Sequence, residues 1–285
     1  FALMVKDFAR AYGEAFLQDG LVHPITHTLD LASAAFCTAT VARGIGDTVT
    51  AARMDDLAGR WRNAFAEDGL LQDSTFYEGT KWNYSFRLLH DMPERIALSG
   101  GAEAFVQQLD RFFGFGADPV RQPGESPSRE TMAAGAAVGR FEGLNNEPDM
   151  EAPFAYVYAG RHDRTCEIIR AALNQCFGDT PGGMVGNDDS GGMSSWYVWN
   201  ALGLFPVAGQ DVFLISSPLF TAARLRLAGG AVFTIEARGN GPDRPYVAAA
   251  SLNGLPLERP FIRWVDLAGG GRLSLEMSDQ PASSS

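Results

Sequence analysis

Hydrophobic residues recur every three to four positions through about residue 204, which is the period of helices that bury one face. The face is clear in three segments: Ile25, Leu29, Ala32, Phe36 and Thr40 in the first, Met54, Leu57, Trp61 and Phe65 in the second, and Phe105, Leu109 and Phe112 in the third. Short stretches with Gly and Asp separate such segments, as is usual at helix ends. The pattern predicts successive antiparallel helix pairs.

Past Pro206 the hydrophobic period changes to two, in the short runs "DVFLISS", "ARLRLAG", "AVFTIEA", "YVAAASLNG" and "RLSLEM". This alternation predicts an antiparallel sheet from about 210 to 277. We therefore expect a helical domain at 1–209 and a β-rich region at 210–285, whose closing "PASSS" is predicted to be disordered. The Gly-, Pro- and Ser-rich stretch 114–129 is predicted to be a long surface loop.

Composition excludes several classes of protein. The net charge of −11 and the pI near 4.8 argue against nucleic-acid binding, which needs clustered Lys and Arg. No apolar run reaches the roughly 18 residues of a membrane span. Three cysteines cannot form a closed disulfide framework, and Cys166 and Cys176 are predicted to be buried thiols on one helix.

The stretch "FYEGTKWNYSF" at 76–86 places one carboxyl group among aromatic rings. Burial of Glu78 against these rings would disfavour its ionised form and raise its pKa, so that it could donate a proton. The alternative is structural: Glu78 would then be a first-turn residue, favoured by the dipole of the helix that follows Gly79.

The stretch "GNDDSGG" at 186–192 places an amide and two carboxylates between glycines, just before a predicted helix that begins near Gly191. Free N–H groups at that helix start would keep Asp189 ionised. One residue of Asp188 to Ser190 could simply cap the helix. However, a second carboxylate and Asn187, beside glycines that allow a ligand to approach closely, are more than a cap requires.

The stretch "NNEPDMEAPFAYVYAG" at 145–160 contains Asn146, Glu147 and Asp149, three oxygen donors of the kind that calcium accepts. An N-cap followed by first-turn acids would explain the same residues. The four histidines are scattered and show no zinc-site spacing.

A protonated acid facing an ionised base is the arrangement that hydrolyses a glycosidic bond, and an inverting enzyme separates the two carboxyl groups by about 6.5 to 9.5 Å. Aromatic side chains near both stretches could offer flat faces to a sugar ring, although aromatics at helical spacing are more often core. They are Trp82, Tyr84, Trp196, Tyr197 and Trp199.

The three stretches, in this order and on a helical background, resemble glycoside hydrolase family 92, the calcium-dependent exo-acting α-mannosidases. The resemblance rests on "YEGTKWNYSF", "HDMPERIALSGGAEAFVQQLDRFF", "NNEPDMEAPFAYVYAGRHDRT", "GNDDSGGMSSWYVWNALGLFPVAG" and "ISSPLF". It extends from about Thr26 to Phe220 and is weaker in the β-rich region.

The resemblance implies part of an (α/α)6 toroid and the release of terminal α-linked mannose, α-1,2 being the expected linkage, with inversion at the anomeric carbon and assistance by calcium. By position, Glu78 would be the general acid and Asp189 the general base. Asn146 and Glu147 would lie at the calcium ion. Contacts to the substrate are expected from Trp82, Tyr84, Asn187, Asp188 and Trp196.

This chain departs from the family at several points. Many members have Gln at the position of Asn83 and an acidic residue at that of Asn187. Family chains are longer and are commonly secreted or periplasmic. They carry an N-terminal β-sandwich that we expect to pack against this chain, and without it we expect the chain to be unstable or inactive.

Two other functions remain open. One is a metal-independent inverting toroid glycosidase that acts on other sugars such as glucosides. The other is a non-catalytic carbohydrate-binding or scaffold protein.

Overall fold

The structure, a computed structural model, describes residues 1–8, 13–115 and 147–282. The chain divides into two compact units, Phe1–Phe105 and Val106–Ser285. The predicted surface loop lies outside the described residues from position 116 onward, as do Asn146 and the last three residues of the tail.

The first unit is helical. Its helices are α1 (Ala2–Phe8), α2 (Gly13–Asp19), α3 (Thr26–Gly44), α4 (Thr48–Ala58), α5 (Lys81–Ser85), α6 (Met92–Leu98) and the start of α7 (Ala102–Phe113). A 3₁₀ segment, Gly59–Ala64, extends α4. Asp47 caps α4 by accepting the Thr50 N–H at 2.9 Å, as expected for an Asp at a helix start.

The pairing of α3 with α4 buries a row of small residues. Ile25, Leu29 and Ala32 are fully buried as predicted, but the row continues through Ala35, Ala39 and Ala42. Phe36 is only half-buried and Thr40 is exposed, so the last two residues of the predicted face are wrong. The reason is geometric. Each step of four residues goes about 40° beyond a full turn, so the two consecutive steps from Ala32 to Phe36 and to Thr40 leave the buried face.

The second unit combines helices with strands. Its helices after α7 are α8 (Ala152–Tyr158), α9 (His162–Gln175), α10 (Gly192–Ala201) and α11 (Trp264–Ala268), and its strands are β1 (Leu204–Pro206), β2 (Val212–Ile215), β3 (Ala222–Arg226), β4 (Val232–Arg238), β5 (Tyr246–Leu252), β6 (Leu255–Pro256), β7 (Phe261–Arg263) and β8 (Gly271–Ser278). The change from helix to strand near residue 204 agrees with the prediction.

The strands form two sheets, a three-stranded one in the order β1-β2-β7 and a five-stranded one in the order β3-β4-β8-β5-β6. One pair corrects the prediction of an antiparallel sheet: β4 and β8 are parallel, with Ile235 opposite Leu273. The sheets share one apolar core, which includes Leu204, Ile215, Phe233, Ile235, Ile262, Leu267, Leu273 and Leu275.

Helix α9 is anchored to the strands by buried polar side chains. Glu167 accepts the Tyr246 hydroxyl at 2.5 Å, and the Arg170 guanidinium donates to the Pro218 carbonyl at 2.6 Å and to Asn240 at 2.8 Å. Because buried charged groups are tolerated only when they are hydrogen-bonded, these contacts fix α9 against the sheets.

The cysteines follow the prediction in part. Cys166 is buried in α9, whereas Cys176 lies just past the end of that helix and is half-buried. All three cysteines are free thiols.

None of the helices in the described ranges is long and apolar enough to cross a lipid bilayer.

Candidate active site

The turn that carries Glu78 ends in a capping box at the start of α5. Thr80 is the N-cap, and the side-chain oxygen of Asn83 accepts the Thr80 N–H at 2.7 Å and its hydroxyl at 2.9 Å. Glu78 therefore precedes the cap and is not a first-turn residue, which excludes the structural alternative. Asn83 is 1% exposed, so the amide at this position serves the helix start.

Glu78 itself is exposed and has a left-handed backbone, with φ of 50°. The prediction that rings bury this residue is wrong, because the rings of Phe76 and Tyr84 stack on each other at 5.8 Å. The Tyr84 hydroxyl also donates to the Tyr77 carbonyl at 2.5 Å, which ties the residue before Glu78 to α5. A non-glycine residue with positive φ persists where its surroundings enforce it, and such residues cluster at functional sites.

A buried cation fixes the other end of α5. Arg95 is fully buried and donates to the carbonyls of Gly69 at 2.7 Å and Ser85 at 3.1 Å. Burial lowers the pKa of Arg95 to about 9, so the guanidinium remains charged at neutral pH. Trp82 is half-buried, with its ring 6.2 Å from that of Phe86, and retains a partly exposed face.

In the second unit, the Asp188 side chain caps α10 from three residues before Gly191, which occupies the N-cap position of that helix. One carboxylate oxygen accepts the Ser194 N–H at 2.8 Å and the other accepts the Ser194 hydroxyl at 2.7 Å. These hydrogen bonds lower the pKa of Asp188 and keep it ionised. Both oxygens of Asp188 thus hold the helix start, and its predicted contact with the substrate stays a prediction.

Asp189 is left with an exposed side chain. Its backbone N–H donates to the Glu147 carboxylate at 2.9 Å, across 42 positions of sequence. Asp188 and Ser190 on either side have φ of 53° and 54°, which turns the chain sharply around Asp189. The turn thus presents one carboxylate outward while its neighbours form the structural bonds.

Glu147 reaches this turn from a 3₁₀ segment, Glu147–Asp149, that precedes α8. The N-cap of α8 is Glu151, so Glu147 is not a first-turn acid of that helix. A Cβ on Gly192 would lie 3.3 Å from the Glu147 side chain, which shows how closely the carboxylate packs on the start of α10. The backbone of Gly192 gives it room.

The carboxylates of Glu147 and Asp189 have the chemistry of a calcium site, since both side chains offer only oxygen donors. Within the described ranges no three His, Cys, Asp or Glu side chains converge as metal ligands. Asn146, the other predicted calcium residue, lies outside those ranges.

The aromatic residues of α10 have separate roles. Trp196 is 1% exposed, stacks on Phe177 at 5.9 Å and donates its indole N–H to the Met150 carbonyl at 2.9 Å. The prediction that Trp196 contacts the sugar is therefore wrong, because its ring is enclosed. Trp199 packs toward the sheet core at 5.6 Å from Phe213, whereas Tyr197 is partly exposed.

Sequence reasoning offered Asp188 as one of three possible caps without singling it out, and it did not find the Glu147–Asp189 bond. The acceptor and donor of that cap are six residues apart, which is not the spacing of a standard capping box. The bond from Asp189 to Glu147 joins distant parts of the chain, so a local pattern contains no signal for it.

The sequence is similar to a known family of glycosidases over most of its length. Residues 10–279 match the model of the glycosyl hydrolase family 92 catalytic domain. The chain is also 30% identical over 210 residues to an uncharacterized secreted glycosidase of Arthroderma benhamiae. That alignment covers 73% of this chain and 24% of the relative.

Solved structures show the same fold. An inverting mannosidase of family GH92 from Bacteroides thetaiotaomicron is 28% identical with a TM-score of 0.80, and the match covers 94% of this chain and 40% of that one. A GH92 α-mannosidase from the same organism is 24% identical with a TM-score of 0.77, over 90% of this chain and 34% of that one. The chain thus spans well under half of these relatives.

Proposed function

Because the chain belongs to glycosyl hydrolase family 92, we propose that the complete protein releases terminal α-linked mannose, with α-1,2 as the linkage, and inverts the anomeric configuration. The observation that carries this proposal is the difference between the side chains of Asp188 and Asp189. Asp188 forms the helix cap, and Asp189 is thereby left with an exposed carboxylate on a sharply turned backbone.

In this proposal Asp189 is the general base. Its carboxylate accepts a proton from the water that attacks the anomeric carbon, while Glu147 holds its backbone N–H and so fixes the direction of the side chain. Glu78 is the general acid and donates a proton to the leaving oxygen. Its support is its position: Glu78 comes two residues before the Thr80 cap of α5 and has an exposed side chain on a left-handed backbone.

We further propose that calcium assists the reaction and that Glu147, with Asn146, belongs to its site. Calcium, when bound, would coordinate sugar hydroxyl oxygens and so hold the mannose ring. The support is the oxygen-only donor chemistry of the turn and the position of Glu147 against Asp189. Partly exposed Trp82, Tyr84 and exposed Asn187 are proposed to contact the sugar.

The remaining features of the proposal come from the family. The helices are proposed to form part of an (α/α)6 toroid, against which a β-sandwich domain packs in the complete protein. Secretion or a periplasmic location is also proposed, in keeping with the description of the fungal relative as secreted.

The test is hydrolysis of an α-1,2-mannobiose by the complete protein, followed by NMR of the first product formed. Inversion predicts β-mannose before mutarotation, and α-mannose would contradict the proposed mechanism. Hydrolysis of α-glucosides in preference to mannosides would favour a different glycosidase. Binding of the disaccharide without any turnover would favour a carbohydrate-binding protein.

The calcium proposal has its own readout. A chelator should abolish turnover and lower the thermal midpoint, and added calcium should restore both, because a ligand that binds only the folded state stabilises it. Full activity and an unchanged thermal midpoint in excess chelator would contradict it.

A further inference from the structure

Strand β3 is one edge of the five-stranded sheet, and no strand in the described ranges pairs with the side that faces away from β4. The Thr221 carbonyl accepts a backbone N–H of β4 at 2.8 Å, and the Leu227 N–H donates at 2.8 Å to the carbonyl just before β4. Because hydrogen-bonded and non-hydrogen-bonded residues alternate in an antiparallel pair, the backbone groups of Ala222, Arg224 and Arg226 point to the open edge.

The two faces of β3 differ in their chemistry. Arg224 and Arg226 are exposed on the outer face of the sheet, with roughly 7 Å between them along the strand. Ala223 and Leu225 point to the opposite face, where they are partly buried and pack against the apolar core of the sheets. The edge therefore offers cationic and apolar positions in strict alternation.

Two other arginines on the outer face of this sheet are neutralised by their neighbours. Arg238 contacts Glu276 at 3.2 Å and Glu236 at 3.7 Å, and Arg272 contacts Glu236 at 3.4 Å. The carboxylates of this face are thus already engaged with β4 and β8.

The two arginines of β3 lack such neighbours. Opposite Arg224 and Arg226, β4 presents Thr234 and Val232, neither of which carries a charge. Neither arginine forms an ion pair with any residue that the structure describes. The open edge therefore carries two uncompensated cations on a chain whose net charge is −11.

A second copy of this chain does not suit the edge. Two β3 strands paired antiparallel about Arg224 would place the two copies of that arginine directly opposite each other, and like charges in that position destabilise a sheet. An incoming strand with acidic residues at these positions would instead be complementary. Charge complementarity therefore favours an acidic partner over self-association.

We propose that the open edge of β3 binds an extended acidic segment of a partner protein by strand addition. Acidic residues of the partner would lie opposite Arg224 and Arg226, and apolar residues between them would continue the core beside Leu225. Backbone hydrogen bonds provide the affinity in this mode of binding, and the alternating side chains provide the specificity. The inference is independent of the proposed function, because β3 contributes no residue to the candidate site.

The binding test uses the complete protein and a labelled peptide of alternating Glu and Val, followed by fluorescence anisotropy. The double variant Arg224→Glu/Arg226→Glu should weaken binding by about tenfold or more, because two attractive cross-strand pairs become repulsive. A peptide of alternating Lys and Val should bind this variant better than the original protein. Both positions are exposed, so the thermal midpoint should not change.

Two controls separate strand addition from general charge attraction. The variant Arg53→Glu/Arg244→Glu makes the same change of charge at exposed positions outside β3 and should bind the Glu-Val peptide normally. A peptide of the same composition with Glu and Val in blocks should bind weakly, since it cannot match the alternation of the edge. Unchanged affinity in the β3 variant, or equal affinity for the two peptides, would overturn the proposal and leave the arginines as a guard against edge aggregation.

Hydrogen exchange locates the bound peptide. The amides of Arg224 and Arg226 should exchange quickly in the complete protein and slow down when the Glu-Val peptide is added, as read by mass spectrometry with single-residue fragmentation. Ala223 and Leu225, whose amides face β4, should be slow in both states and are the internal controls. Slow exchange at Arg224 and Arg226 before the peptide is added would overturn the proposal. Loss of that protection on dilution would identify the occupant as a second copy, and its persistence would identify another part of the complete protein.

Discussion

The turn of Glu78 and the turn of Asp189 both hold an exposed carboxylate on a strained backbone, but they are built in different ways. The first is stabilised within a few residues, by the Thr80–Asn83 capping box and by Tyr84 on Tyr77. The second is stabilised by Glu147, 42 positions away in the chain. The first turn is therefore stabilised locally, whereas the second has its local Asp188–Ser194 bonds and also depends on a contact between two distant parts of the second unit.

This difference concerns how each carboxylate is positioned. The turn of Glu78 keeps its geometry as long as the short segment that contains it and the start of α5 is folded. A turn held by a distant carboxylate couples the direction of Asp189 to the segment at 147–150, so changes in either affect the other. The following variants of the complete protein test that contrast.

The largest effect is expected from Asp189→Asn. Loss of the general base should lower kcat by about a thousandfold on every mannoside, while the thermal midpoint stays within error because the side chain is exposed. The matched control is Asp243→Asn, another exposed aspartate of the same unit. Near-normal turnover in Asp189→Asn would remove the residue from the mechanism.

Glu78→Gln should lower activity by an amount that depends on the leaving group. A sugar leaving group needs protonation, so kcat/KM for a mannobiose should fall by about a hundredfold or more, whereas α-mannosyl fluoride should be hydrolysed nearly as before. Glu67→Gln, at an exposed position of the same unit, serves as control. An intact rate on the disaccharide would show that the acid lies elsewhere.

Glu147→Gln tests the long-range support directly. The amide cannot provide the charged acceptor for the Asp189 N–H, so we expect turnover to fall by about 10- to 100-fold, the usual cost of losing a residue that orients a reactive group. The thermal midpoint should change little, and the calcium concentration for half activity should rise. If only stability changed, Glu147 would be a structural residue of the turn.

The smallest effect is expected from Asp188→Asn, and it is an effect on the stability of the fold. Its pKa is lowered by the bonds from Ser194, so its contribution is complete above the unfolded value of about 3.9 and is lost as the pH falls through the lower folded value. Asp188→Asn should lower the thermal midpoint at pH 7 and remove this acid-dependent part. Plots of the thermal midpoint against pH that converge for the two proteins as the pH falls through the lowered pKa would agree with this, and parallel plots would contradict it.

The contrast also explains what could be predicted from the sequence. Helical period and the switch to alternation near residue 204 are local signals, and they predicted the order of helices and strands. The three polar stretches were recognised because glycines, acids and aromatics stand next to each other in the chain. Where a structural feature depends on distant residues, the prediction was incomplete.

Two corrections illustrate this, and a third has a local origin. The parallel pairing of β4 with β8 depends on which strands meet across the sheet. The enclosure of Trp196 depends on Phe177 and on the Met150 carbonyl, neither of which is a neighbour in sequence. The exposure of Glu78 has the local origin: Phe76 and Tyr84 are close to it in the chain, but their rings pack on each other instead of on the carboxyl group.

The enclosed amide of Asn83 also affects how the protein should be produced. Asn83, Tyr84 and Ser85 form the acceptor pattern for N-linked glycans, yet the side chain is inaccessible and bonded to Thr80 in the folded chain. A glycan attached during synthesis in a eukaryotic secretory pathway would prevent that bond and displace the Glu78 turn. Material from a host without this modification preserves the start of α5.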